Sequence, residues 1–195
     1  MIILTLVLLL SPLVGTLILM ILQNSSRESS SLVSNLSILS SFLLSVFTLY
    51  LFYSTNSVAI SSNVLTFAEI KLFSLYFGLY IDSLSLIMSV VVTSVSLLVH
   101  YYSISYMKDD KSFNRFFIYT NFFTFSMLMI VFSNNFFQLF IGWELVGLSS
   151  YLLIGFWIKK ESAIKANYKA FLVNRVGDVG LLLGLCLIFL SYNTT

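Results

Sequence analysis

Residues Asn135–Ile158 read NFFQLFIGWELVGLSSYLLIGFWI, and this run decides the kind of fold the chain adopts. It is long enough to cross a bilayer, which takes about 20 residues at ~1.5 Å rise each. Its one charged side chain, Glu144, sits near the middle. A charge at that depth costs roughly 2.5–3.5 kcal/mol on insertion scales. A chain keeps such a group where a partner stabilises it or where its protonation is used. Helical spacing puts Glu144 on one face with Gly147, Leu148 and Tyr151. Two readings stay open: a switchable proton site, or a permanently protonated, hydrogen-bonded packing carboxyl. No Lys or Arg lies at comparable depth in the first five apolar spans, so the cation of an ionised Glu144 is expected from elsewhere, outside this chain included.

The rest of the composition agrees with a membrane setting. Of 195 residues, 58% are hydrophobic, only 9% are charged, and 19 are Phe. A soluble domain carries about 25% charged residues, so this chain cannot cover itself with polar surface. The expected class is an all-α polytopic membrane protein forming one membrane domain over residues 1–195, in contact with the lipid bilayer. A net charge of +2 and the lack of an aromatic-interleaved basic patch argue against nucleic acid as a partner. Cys186 is the single cysteine, set in an apolar run, and reads as a small core hydrophobe. The sequence has no metal-ligand cluster, phosphate-binding glycine loop or nucleophile elbow. No cofactor is expected in this chain.

Six spans emerge: 2–22, 32–53, 81–107, 113–132, 135–158 and 163–192. The first begins without a basic region and reads as a retained helix rather than a signal peptide. Between the second and third lies Ser54–Tyr80, polar at first and then weakly alternating. It reads as an extra-membrane hairpin or interfacial segment. Nine of the ten basic residues follow the odd-numbered spans: Arg27, then Lys108, Lys111 and Arg115, then Lys159, Lys160, Lys165, Lys169 and Arg175. Lys71 alone lies on the other side. By the positive-inside rule, the loops after the odd spans face the matrix or cytoplasm.

Two spans carry polar stripes at steps of three or four residues. One is Ser34, Ser37, Ser41, Ser45 and Thr48; the other is Ser85, Ser89, Thr93, Ser96, His100 and Ser103. Such faces pack against other helices, where small residues allow close approach and hydroxyls bond across. His100, the only histidine, is either a proton relay or a neutral core side chain. Arg175 and Asp178, at i,i+3 in NRVGDVG, pair locally, either as a structural ion pair or as a coupling point to a neighbouring subunit. Their position early in the last span sets Arg175 near the basic side. Asp82, just before the third span, reads as a helix N-terminal acid.

Three stretches carry a family resemblance: DSLSLIMSVVVTSVSLLVHYYSISYM (Asp82–Met107), RFFIYTNFFTFSMLMIVFSNNFFQLFIGWELVGLSSYLLIGFW (Arg115–Trp157) and KAFLVNRVGDVG (Lys169–Gly180). Together they closely resemble subunit 5 of proton-pumping NADH:ubiquinone oxidoreductase, respiratory complex I, an antiporter-like family. The resemblance runs from Tyr80 to about Leu190, with residues 1–79 agreeing in pattern only. It implies a membrane-arm subunit that translocates protons while quinone is reduced elsewhere in the complex. Glu144 matches the family's acidic partner in the fifth helix, which pairs with a lysine of a later helix. His100 matches a histidine in the third, and Arg175 with Asp178 a charged pair in the sixth. The expected partners are other complex I membrane-arm subunits.

The family's chain is much longer than this one. Its channel lysines and second half-repeat are not among these residues, and a split subunit is expected, with a separate chain carrying the C-terminal remainder. The expected location is the mitochondrial inner membrane, with a bacterial-type plasma membrane as the alternative. Two rival functions are the large-subunit fragment of a multisubunit sodium/proton antiporter and a non-transporting membrane scaffold.

Overall fold

The computed structural model describes residues 1–22, 26–70 and 73–192. Its elements run α1 (Ile2–Ile21), α2 (Arg27–Ser54), β1 (Ile60–Ile70), β2 (Phe73–Ile81), α3 (Ser83–Tyr106), α4 (Phe113–Val131), α5 (Phe136–Ile154) and α6 (Glu161–Tyr192). Helices α1, α2, α3, α5 and α6 are long and apolar enough to cross a membrane. The six expected spans are therefore present as helices, with shifted ends. The second begins at Arg27, because Ser26 caps it by accepting from the Ser29 amide. The fifth ends at Ile154. The sixth spans 32 residues, about 48 Å of helix against a hydrocarbon core of ~30 Å, so it protrudes or tilts.

Helix α4 is not among those five; it carries Asn114, Arg115, Asn121, Thr120, Thr124 and Ser126. It can afford them because protein surrounds it: α1, α2, α3 and α5 all pack against it. One apolar core gathers Leu8 and Leu9 of α1, Phe52 of α2, Leu86 of α3 and Phe125, Leu128 and Phe132 around α4. A second, towards the other end, joins Leu19, Met107, Phe113, Phe117 and Phe156. The polar stripes face these contacts. Ser34, Ser41, Ser45, Thr48, Ser89 and Thr93 are fully buried, and Ser45 meets Thr93 across α2 and α3 at 3.1 Å.

Pro12 lies inside α1. Lacking an N–H, it leaves the Leu8 carbonyl without its helical donor. Two serines replace that donor: Ser41 Oγ of α2 at 2.9 Å and Ser11 Oγ at 3.2 Å. In a membrane no water is at hand to do the same, so the proline and the serine stripe belong to one packing solution. Three residues further along, a Cβ on Gly15 would stand 2.4 Å from Ser37 Oγ, so only glycine admits this approach of α1 to α2.

The segment between α2 and α3 is a β-hairpin, so the chain is not wholly helical. Its strands pair antiparallel from Ile60 opposite Ile81 to Ile70 opposite Phe73, with irregularities between Asn63 and Leu65 and between Thr66 and Ala68. Asn56, just past the end of α2, takes φ 45°, the left-handed conformation that ends many helices and that Asn tolerates. Strand β2 runs to Ile81, which moves the start of α3 to Ser83. There Asp82 caps the helix in a reciprocal capping box with Ser85, as its position in the sequence suggested.

The hairpin and the α4–α5 turn share one end of the bundle. Tyr80 donates its N–H to the Phe132 carbonyl at 3.1 Å, Gln138 Oε1 accepts from the Gly78 amide at 3.0 Å, and Asn135 Nδ2 donates to the Tyr76 carbonyl at 2.8 Å. The opposite end holds the basic loops. Arg27 bonds the Lys108 carbonyl, Arg115 the Phe156 carbonyl at 3.0 Å, and Trp157 Nε1 the Asp110 carboxylate at 3.1 Å. The charge asymmetry in the sequence thus corresponds to two physical ends of the molecule. Lys71 lies outside the described residues.

Candidate functional site

Helix α6 packs against α5, and their seam holds the charges. Glu144 is near the midpoint of α5, and Arg175 is near the midpoint of α6. Arg175 Nη1 lies 2.7 Å from Glu144 Oε2 and 3.6 Å from Asp178 Oδ2. The guanidinium also sits 5.1 Å above the Phe171 ring. On the far side of the array, Trp143 Nε1 donates to Asp178 Oδ1 at 3.0 Å. One guanidinium therefore stands between two carboxylates, and an indole fixes the second of them.

This arrangement corrects two expectations. Glu144 has a cation from its own chain, and Arg175 lies at mid-helix depth rather than near the basic end. The sequence held the signal. Glu144 precedes Gly155 by 11 residues, and Arg175 follows Glu161 by 14. At about 1.5 Å per residue, two antiparallel helices then bring both side chains to similar distances from the shared turn. The expected local pairing of Arg175 with Asp178 is present, although the shorter contact is to Glu144. Trp143, one residue before Glu144, is a site residue that the sequence reading missed. An indole inside an apolar span was the available cue, since its N–H needs an acceptor where no water is at hand.

Below and above the array the seam is apolar or close-packed. Tyr151 meets Phe171 with ring centres 5.5 Å apart. A Cβ on Gly155 would stand 2.3 Å from Asn167 Nδ2, so glycine leaves room there for the Asn167 side chain of α6. A cavity of about 250 Å³ opens beside the ion pair, lined by Phe140, Ile141, Glu144, Leu145, Leu148 and Arg175. A Cβ on Gly147, Gly177 or Gly180 would meet nothing within 4 Å. The space beside these glycines is not used by this chain.

His100 is elsewhere. It lies on α3, 1% exposed, and α3 has no substantial contact with α5. Its Nδ1 is 2.7 Å from the Ser96 carbonyl, an acceptor only, so Nδ1 carries the proton there. Asn121 of α4 is the neighbour across the seam, but Nε2 makes no hydrogen bond of good geometry with it. The Phe117 ring closes the site at 6.0 Å. Ser96 Oγ and Thr124 Oγ1, 2.6 Å apart, continue the polar contact between α3 and α4. The structure thus brings together Glu144, Arg175 and Asp178, and keeps His100 apart from them. No group of three or more His, Cys, Asp or Glu suited to a metal ion occurs among the described residues.

The fold is that of a polytopic helical membrane protein with a charged seam between its last two helices. Residues 67–117 match the family described as NADH-Ubiquinone oxidoreductase (complex I), chain 5 N-terminus. Residues 133–195 match NADH:quinone oxidoreductase/Mrp antiporter, TM. Together the two segments cover more than half of the chain, which belongs to this family of complex I chain 5 proteins and corresponds to their N-terminal part. NADH-quinone oxidoreductase subunit L of Neisseria meningitidis is 47% identical over 185 residues, 94% of this chain and 27% of that protein. NADH-ubiquinone oxidoreductase chain 5 of Marchantia polymorpha is 55% identical over 124 residues, 64% of this chain and 18% of that one. The chain spans about a quarter of the length of the first of these relatives. A solved structure of the membrane-bound sulfane sulfur reductase, an archaeal respiratory membrane complex, contains a chain with the same fold. It aligns with a TM-score of 0.81 at 18% identity, covering 97% of this chain and 38% of that one.

Proposed function

We propose that this chain forms part of a proton-translocating membrane subunit of NADH:quinone oxidoreductase, with Glu144 as its working carboxylate. The observation that carries the reading is the guanidinium of Arg175 shared between Glu144 and Asp178 at mid-helix depth, beside an open cavity. An ionised carboxylate inside a bilayer needs a cation, and a carboxylate that exchanges partners gains and loses its reason to stay ionised. Arg175 stays charged throughout, because guanidinium does not give up its proton in proteins. It can hold Glu144 ionised but cannot relay the proton. A lysine can do both, and the family's pairing assigns it to a helix beyond these residues. The cavity beside Glu144 is where its ammonium would arrive.

In this account Arg175 and Asp178 set the resting electrostatics, and Trp143 holds Asp178 in place. His100 is a second protonatable group on a separate polar seam between α3 and α4. The partners are the other membrane-arm subunits. The setting is a mitochondrial inner membrane, with the basic end towards the matrix. NADH oxidation and quinone reduction take place in other parts of the complex.

Affinity purification from native membranes tests the assignment. It should bring down subunits of an NADH:quinone reductase, and NADH oxidation by the preparation should acidify or alkalinise vesicles in proportion to turnover without added sodium. The second matched family also takes in the Mrp antiporters. Recovery of antiporter subunits, with proton movement that needs a sodium gradient, would move the chain to that function instead.

A further inference from the structure

At the basic end of the bundle a cavity of about 400 Å³ is lined by Arg27, Lys111, Ser112, Phe113, Asn114, Arg115 and Ile118. Three of those side chains are cations. Among the described residues, none of the three makes an ion pair within 4.0 Å; the pairs present involve Lys165 and Arg175. Two of the three are held in place through part of their donor set only. Arg27 uses Nη1 on the Lys108 carbonyl. Arg115 uses Nη2 on the Phe156 carbonyl and rests 5.0 Å from the Phe156 ring centre. Its Nε is buried and has no hydrogen-bond partner. Arginine has five N–H donors in a fixed fork, so both side chains keep donors in hand.

The helix ends add to this field. Helices α2 and α4 both begin here, and their positive dipole ends face the same side. Ser112, which precedes α4, makes no side-chain capping bond, and α4 has no acid in its first turn. The nearest carboxylate that responds to these cations is Asp110. It is already used: Oδ1 accepts from the Ser112 amide at 2.7 Å and Oδ2 from Trp157 Nε1. The cavity sits where α2 and α4 begin, at the basic end of the bundle.

We propose that this cavity binds a phosphate group, presented by an anionic phospholipid of the leaflet on the basic side. Basic pockets between membrane helices on that side are suited to such headgroups, and the two arginines offer the planar donor fork that matches phosphate. The lipid would tie the α1–α2, α3–α4 and α5–α6 loops together through Arg27 and Arg115, which already bridge them.

The test uses the full chain in its complex, reconstituted in nanodiscs of phosphatidylcholine with a minor share of phosphatidylglycerol, with retained lipid measured by native mass spectrometry. Phosphatidylglycerol should be retained selectively. At about 1 kcal/mol per basic residue near the surface, Arg27→Gln with Lys111→Gln should weaken retention about thirtyfold. Lys111→Gln alone should weaken it about fivefold on the same basis. Lys111 is exposed and bonds to nothing else among the described residues, so this variant keeps the test meaningful if the double variant folds poorly. Lys159→Gln with Lys160→Gln, on the same side but outside the cavity, should change retention little. Equal losses in both pairs would mean diffuse surface attraction and overturn the proposal, as would no loss in either. Inorganic phosphate supplies the second arm. If it binds the wild type in a Lys111-dependent manner while the lipid shows no preference, the lipid assignment fails.

Discussion

The contact between Arg175 and Glu144 makes a quantitative demand on a double-mutant cycle of Glu144→Gln, Arg175→Gln and the double variant. At about 4 Å between charge centres and an effective dielectric constant near 20, the direct attraction is roughly 4 kcal/mol. That figure is a ceiling. The Arg175 side chain is 46% exposed and that of Glu144 27% within this chain, so lipid, water or another helix competes for both groups. Polar couplings measured between membrane helices average ~0.6 kcal/mol and reach ~1.7, and exposed pairs in water contribute ~0.2–1 kcal/mol. A short charge-assisted bond at mid-helix depth belongs at the upper end of that range, so the expected coupling is about 1–2 kcal/mol. The assay is reversible unfolding in mixed micelles or steric trapping of the α5–α6 pair, with all four proteins under the same conditions. Each single variant should cost more than its share of the double. Strictly additive effects would show that the pair does not form in the membrane, and the account of the α5–α6 seam would fall with it.

Three further outcomes follow from other parts of the molecule. Ser41→Ala removes one of two donors to the Leu8 carbonyl and should cost about 1 kcal/mol in thermal or denaturant unfolding. The same substitution should cost clearly less beside Pro12→Ala, which returns the helical N–H, and an equal cost in both backgrounds would refute the proposed role of Ser41. Asp110 is held below the usual carboxylate range, first by the Ser112 amide and then by the Trp157 indole. Its folded value is depressed, so its stabilisation is fully present above about pH 4 and is lost as pH falls through the lower folded value. Trp157 emission should report that loss on acidification, and Asp110→Asn should abolish the transition. In a protein lacking Cys186, cysteines at Lys160 and Ser61 should label from opposite faces of the membrane, and labelling from one face would end the two-sided arrangement.

Much of the fold was legible because its signals are local. Apolar runs set the helices, Asp82 marks a helix start, and weak alternation after Ser54 marks the hairpin; the Ser26 cap, which starts α2 five residues before the expected Leu32, was missed. The serine stripes gave the buried faces of α2 and α3 correctly. What was not legible depends on how helices are placed beside each other. Helix α4 was read as a span, but nothing within its own 19 residues says that four other helices surround it. Arg175 was placed by the basic residues around it, because periodicity carries no information on depth. Counting residues from the α5–α6 turn does carry it, and would have paired Arg175 with Glu144. The Trp143–Asp178 bond depends on the rotation of α5 against α6, which the sequence of neither helix specifies. His100 was correctly placed on a protein-facing stripe, but its separation from Glu144 follows from the packing order of the helices alone.

The central claim is that Glu144 is a working proton site and not a packing carboxyl. The most direct measurement is the number of protons translocated per NADH oxidised by the intact complex in proteoliposomes, for wild type, Glu144→Gln and Asp178→Asn at matched redox turnover. The account predicts a clear fall in that ratio for Glu144→Gln and a smaller fall for Asp178→Asn, which keeps Arg175 on Glu144. An unchanged ratio for Glu144→Gln would contradict the account and leave the chain as a membrane scaffold.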